Sequence, residues 1–293
     1  MKPAPFDYHA PTTVDEAVGL LAEHGDEAKP LAGGQSLVPL LALRLTRFAH
    51  LIDLNEVTSL STMSRQGEEF SIGAMVRQDQ VEFEPDVAVA VPLLVRATPL
   101  IGHFQIRSRG TVGGSLAHAD PASEYPAVAL ALDAVFDIKG KDRARSVAAR
   151  DFFVGTWTTC LEPDELLVAV RFPVASGRSG FSIDEATRRH GDFAMVGCAC
   201  AIGLAGSGAI DRAAVALFGV GSTPLRADAA EQALIGRRRE DLDTAALAEI
   251  AQLAVRGLDP PNDVHATSSY RRDAGAVLVG RAVANATAEA ANG

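Results

Sequence analysis

Two short stretches of this 293-residue chain set glycine pairs beside hydroxyl side chains: Ala32-Gly33-Gly34-Gln35-Ser36-Leu37 and Thr111-Val112-Gly113-Gly114-Ser115. Backbone N–H groups converge on a phosphate only where no Cβ blocks the approach, and glycine leaves that approach open. Ser36, Thr111 and Ser115 add hydroxyls able to donate to the same oxygens. Each loop alone also reads as a plain turn; as a pair they point to a diphosphate held between them. Neither matches G-x-G-x-x-G or G-x-x-x-x-G-K-[ST], so a dinucleotide suits them better than a nucleoside triphosphate. His118, Asp120 and Glu124 follow the second loop. Carboxylates repel bound phosphate but accept hydrogen bonds from ribose or ribityl hydroxyls. The alternative is local: Asp120 caps the helix "ASEYPAVALAL", Glu124 sits in its first turn, and His118 satisfies a nearby hydrogen bond.

The elements that must position these residues are legible as patterns. Thr13 and Glu16 form a capping-box pair, Val14, Ala17, Val18 and Leu21 share one helical face, and Gly25 ends that helix. "AKPLA" and "HLIDLN" read as strands around the first glycine loop, closing a small α/β unit over residues 1–56. A second unit, 57–177, begins with the strand "EEFSIGAMV" and the short helix "RQDQVEF". One longer helix is expected over "DVAVAVPLLVRATPLI", turned or kinked at Pro92. Strands follow at "AVFDIKG", "ARSVAARDFF" and "ELLVAVRFP", the last two expected as sheet neighbours. "PVASGRSGFS" is the linker, and a third unit, 178–293, pairs the strands "CACAIGLAG" and "RAAVALFGVG" with an alanine-rich helical tail.

Composition narrows the function classes. A formal charge of −10 argues against nucleic acid or an anionic membrane as a partner. No apolar run at the start resembles a signal peptide, and none elsewhere reaches a membrane span, so a cytoplasmic protein is expected. Cys160, Cys198 and Cys200 form neither a disulfide framework nor a metal set. The last two alternate on an apolar strand, which predicts burial.

"AGGQSLVPLL" together with "QIRSRGTVGGSLAHADPASEYPA" resembles the FAD-binding medium subunit of molybdenum hydroxylases, the family of carbon monoxide dehydrogenase and xanthine dehydrogenase flavoproteins. "FDYHAPTTVDEAVGLL", "DELLVAVRFP", "RRHGDFAMVG" and "YRRDAGAVLVGRAV" extend the likeness over essentially the whole chain. The resemblance implies an α+β fold: a vanillyl-alcohol-oxidase-type FAD-binding pair of subdomains, then a C-terminal domain of small antiparallel sheet plus helices. It implies that Ala32–Ser36, continued by Leu37, and Thr111–Ser115 are the two FAD pyrophosphate loops. It puts Glu124 on the flavin's sugar-like hydroxyls, the backbone near Leu167 on the pyrimidine edge, and Phe193 over the isoalloxazine. Arg188 or Arg189 stands where some members carry a lysine near the flavin. The implied role is electron transfer from 2Fe-2S clusters through FAD to an external acceptor. The clusters and the molybdenum-pterin cofactor are expected on an iron-sulfur small subunit and a molybdenum-binding large subunit, in a dimer of heterotrimers. Two other readings accompany it: a self-sufficient FAD-dependent reductase of the same fold superfamily, and a non-redox nucleotide-binding assembly module.

Overall fold

The structure is a computed structural model that describes residues 2–293. The capping box at Thr13 forms as its spacing predicts: Thr13 Oγ1 accepts from the Glu16 amide at 3.2 Å, and Glu16 accepts in return from the Thr13 amide. The helix so started runs Val14–His24 and buries Ala17, Val18 and Leu21 with Ala28 and Ile52 of the strands beneath. Those strands, Asp7–His9 (β1), Ala28–Leu31 (β2) and His50–Asp53 (β3), form a parallel sheet in the order β1-β3-β2.

A second sheet gathers Met63–Gln66 (β4), Glu69–Gly73 (β5), Val135–Lys139 (β6), Ala144–Ala148 (β7) and, after a small hairpin of Phe153–Gly155 (β8) and Thr158–Thr159 (β9), Leu166–Pro173 (β10). It is antiparallel in the order β4-β5-β10-β6-β7. The expectation that β7 and β10 would be neighbours is thereby corrected. The short turn at 140–143 pairs β6 with β7 locally. The half-exposed β7 stays at the edge, and the apolar β10 takes a central place between β5 and β6. The single helix expected around Pro92 is two, Pro85–Ala90 and Pro92–Ala97, because a proline with no N–H starts a helix but does not continue one.

Residues 174–177 connect β10 to Arg178–Ala186 (β11), so the second half of the expected linker is already strand. With Val196–Leu204 (β12), Ile210–Phe218 (β13) and Leu225–Arg226 (β14) it makes an antiparallel sheet in chain order. This sheet is buried on both faces. Val196, Cys198, Cys200 and Ile202 join one core with the C-terminal helices Asp228–Leu234, Thr244–Val255 and Ser268–Asn292. Ala199, Ala201, Ala214 and Ala216 join the other with the fully buried helix Glu124–Ala131. Burial pushes the Cys198 thiol up to about 12, which keeps it an inert apolar side chain. Among the described residues no helix is long and apolar enough to cross a membrane.

Small residues set the spacing of these layers. A Cβ on Gly180 of β11 would lie 2.0 Å from Ala286 O and 2.6 Å from Ala290 N of the long C-terminal helix. Backbone on both sides leaves nothing flexible to yield. Gly180→Ala is therefore expected to cost about 1–3 kcal/mol of unfolding free energy, read by chemical denaturation. An unchanged midpoint would show that the helix shifts freely on the sheet.

Candidate functional site

The chain leaves the first sheet at Leu31 and passes through Ala32–Ser36 into the helix Leu37–Ala42. Gly34 takes a left-handed conformation (φ 71°), and Gln35 Nε2 braces the loop by donating to Gly33 O at 3.0 Å. Among the described residues, the amides of Gly33, Gly34, Gln35, Ser36 and Leu37 donate to no protein acceptor. Five successive half-buried donors without partners are what an anion needs from backbone.

The second loop differs. Thr111 caps the helix Val112–His118, accepting at Oγ1 from the Gly114 amide at 3.0 Å. Val112 N donates to Val76 O and Gly113 N to Ala74 O, both at 2.9 Å, and Ser115 N donates to Thr111 O. Among the described residues, backbone donors are thus free along the first loop, while in the second those of Val112, Gly113, Gly114 and Ser115 are engaged. Buried Thr111, Val112 and Gly113 seat the loop on the second sheet, while half-buried Gly114 faces Ala32 of the first loop.

The glycines bring backbone to backbone. A Cβ on Gly33 would lie 2.3 Å from Arg109 O, and one on Gly113 would lie 2.4 Å from Ala74 Cβ. A Cβ on Gly114 would lie 2.6 Å from Thr111 Oγ1 and 3.4 Å from Ala32 Cβ, so here the loops face each other. Two side chains that the sequence reading did not single out hold this junction. Asn55 Nδ2 donates to Ala32 O at 3.3 Å and to the Asp53 carboxylate. Arg77 donates to Asn55 Oδ1 at 2.5 Å and to Arg109 O. Each is one polar residue beside a strand or helix end, with no spacing to mark it.

The acids behind the second loop separate by environment. Asp120 accepts from Ala122 N at 2.9 Å and from Trp157 Nε1 at 3.1 Å. It closes a turn and does not cap the next helix, which starts at Glu124 behind Ser123. Glu124 is buried, and desolvation raises its pKa to about 7, opposed by its own amide and aided by Asp120. Glu185 on β11, also unmarked in the sequence reading, is its neighbour: burial, then the Glu124 charge, raise its pKa to about 8. Its Oε2 is buried without a hydrogen-bond partner. Strand alternation alone does not separate this acid from the solvated Asp and Glu elsewhere.

The remaining expected site residues are dispersed. His118 is half-buried and stacks on Trp157 with ring centroids 6.5 Å apart, and burial lowers its pKa. Leu167 is buried in β10 beside a register shift, and the next residue, Val168, accepts from Ala74 N, the residue that carries Gly113. Phe193 is 69% exposed on the turn between β11 and β12, as Phe83 and Phe104 are elsewhere on the surface. Arg188 donates to Val264 O and His265 O, and Arg189 is exposed.

Comparison with known proteins gives consistent results. Residues 4–175 match the family model of the FAD binding domain in molybdopterin dehydrogenase, and residues 181–286 match that of the CO dehydrogenase flavoprotein C-terminal domain. The 6-hydroxypseudooxynicotine dehydrogenase complex subunit alpha of Paenarthrobacter nicotinovorans is 40% identical, over 98% of this chain and 96% of that protein. The carbon monoxide dehydrogenase medium chain of Afipia carboxidovorans is 36% identical over the full length of both. Among solved structures, carbon monoxide dehydrogenase from Hydrogenophaga pseudoflava superposes with a TM-score of 0.95 at 38% identity, covering 99% of each chain. Quinoline 2-oxidoreductase from Pseudomonas putida 86 gives 0.93 at 36% identity, again over 99% of each.

Two outcomes test this geometry. Hydrogen bonds from a charged donor contribute ~1.5–3 kcal/mol, so Arg77→Met is expected to weaken FAD affinity about tenfold or more. Titration with FAD reads this, and unaltered affinity would remove the network from the site. Glu124 and Glu185 hold protons more tightly folded than unfolded, which favours folding at low pH. That stabilisation is lost as pH climbs from about 4.5 through about 7 for Glu124 and about 8 for Glu185. Glu185→Gln is expected to flatten the decline of flavin-free stability between about pH 5 and 8.5 by ~1–3 kcal/mol, allowing for partial exposure. An identical slope in denaturation series would show that Glu185 is ordinarily solvated.

Proposed function

Since the chain belongs to the FAD-binding medium subunits of molybdenum hydroxylases, we propose that its task is to hold FAD between two glycine loops and pass electrons from 2Fe-2S clusters of a partner to an external acceptor. The observation that carries this is the run of five free amides at Gly33–Leu37, set against Gly114 where the two loops meet. Such donors suit a pyrophosphate, and the buried Glu124 beyond them suits hydroxyl groups, so the donor set fits the cofactor.

Each residue then has a part. Ala32–Leu37 hold the pyrophosphate through amides and the Ser36 hydroxyl, with Gln35 bracing Gly33. Thr111, Val112 and Gly113 anchor the second loop so that Gly114 and Ser115 present their edge to the first. Glu124 takes the ribityl or ribose hydroxyls; near neutrality its carboxyl both donates and accepts. The Leu167 backbone meets the pyrimidine edge, Phe193 stacks on the ring system, and His118 and Asp120 shape the wall behind the loop. FAD when bound supplies the exchange of single electrons on one side and of pairs on the other. The functional units are 1–56 and 57–177, which grip the cofactor, and 178–293.

The other redox centres belong to other chains. Three cysteines are too few for the four thiolates of a 2Fe-2S cluster, and two of them are buried in β12. We place the clusters on an iron-sulfur small subunit and the molybdenum-pterin cofactor on a large subunit, in a dimer of heterotrimers.

Co-expression with the neighbouring genes, followed by metal and flavin analysis, tests the assembly. One FAD is expected on this chain, with molybdenum and iron only in the complex. A chain that stays colourless after FAD reconstitution would sink the reading. Phe193→Ala is expected to shift the flavin absorption bands or midpoint potential, and a variant matching the parent in both would take Phe193 out of the site.

A further inference from the structure

Away from the glycine loops, three histidines from three elements converge: His9 at the end of β1, His24 in the last turn of the first helix, and His50 at the start of β3. All are half-buried, and one ring nitrogen from each lies within 4.8 Å of the other two. His9 Nε2 and His50 Nδ1 are 3.1 Å apart. The His24 and His50 rings stack at 3.7 Å, and His9 stands 5.3 Å from both. Asp7 reaches within 3.9 Å of His50 Nδ1, and an open cavity of about 440 Å³ beside His9 is also lined by Glu16 and Glu23.

We propose that His9, His24 and His50 bind one divalent transition-metal ion, zinc or a close analogue. Two nitrogen ligands at ~2.0–2.1 Å from a tetrahedral zinc stand roughly 3.3 Å apart. The His9–His50 separation is already close to that value, and His24, stacked 12° from parallel on His50, must turn out of that stack to add the third nitrogen. Imidazole is the donor that suits zinc, cobalt, nickel and copper. Three imidazoles leave a fourth position for water, and Asp7 adds negative charge beside the ligands. Glu16 is engaged at the helix N-terminus by Thr12 and Thr13, which leaves Glu23 as the unengaged acid of the cavity rim.

The ion's role is to staple the fold. β1 is three residues long and is held by parallel pairing to β3 alone. A shared metal ties it to β3 and to the helix end across the loop 25–27. The site is separate from the cofactor loops: His50 pairs in register with Ala28, four residues and roughly 13 Å of extended chain before Ala32. The inference therefore stands independently of FAD binding.

The test uses the full, untagged chain, stripped with chelator and titrated with Co2+. One equivalent is expected, giving the visible bands of a four-coordinate ion, displaced by Zn2+. Zn2+ is expected to raise the melting temperature. His24→Ala and, on a second element, His9→Asn are expected to weaken binding at least tenfold with unchanged FAD content, while exposed His265→Ala leaves it intact. Absence of the four-coordinate bands, or binding by His24→Ala equal to that of the parent, would overturn the proposal and leave the cluster as a hydrogen-bonded stack.

Discussion

The close approach of two backbone segments, Ala32–Gly34 and Arg109–Gly114, is the contact on which the rest of the site depends. It joins a parallel sheet to an antiparallel one where a Cβ on Gly33 would collide with the Arg109 carbonyl and one on Gly113 with Ala74. Asn55 and Arg77 lock it by donating to carbonyls on both sides, Ala32 O and Arg109 O, and are joined to each other through Asn55 Oδ1. The outcome is asymmetric. One loop keeps its donors for a ligand, while the other spends those of Val112 and Gly113 on residues beside the second sheet and those of Gly114 and Ser115 on Thr111.

Behind the loops the layers are packed by residue size. Alanines on one face of β12 and β13 let the helix Glu124–Ala131 sink wholly into the core, and larger residues on the other face meet the C-terminal helices. β10 plays a similar part between units, with Leu166 in the core of the first sheet and Leu167 in the main core. The helix that begins at Glu124 is thus held rigidly, and its first residue is presented as a buried acid. Rigid support of that kind is what a group meant to meet a cofactor requires.

Burial then decides the chemistry of the acids. Asp120, four residues before Glu124, has both oxygens occupied and serves a turn. Glu124 and Glu185, desolvated and adjacent, are both pushed toward neutrality. Three carboxylates of the same nominal charge become a turn closure and a pair able to donate as well as accept.

Local patterns carried much of this protein by themselves. The capping box at Thr13, the glycine pairs, the buried cysteines of β12 and the whole-chain family likeness depend on residue type and short spacing, and all are legible in the sequence. Strand order was not: β10 lies between β5 and β6 because of burial across the whole sheet, which no window of neighbouring residues records. Nor were the partners of Arg77, the proximity of Glu185 to Glu124, or the meeting of His9, His24 and His50, since each joins residues far apart in the chain. Even the glycines changed meaning. As sequence they implied room for a ligand; in three dimensions Gly33 and Gly113 make room for backbone, because desolvation, hydrogen-bond satisfaction and close packing exist only once the chain has closed on itself.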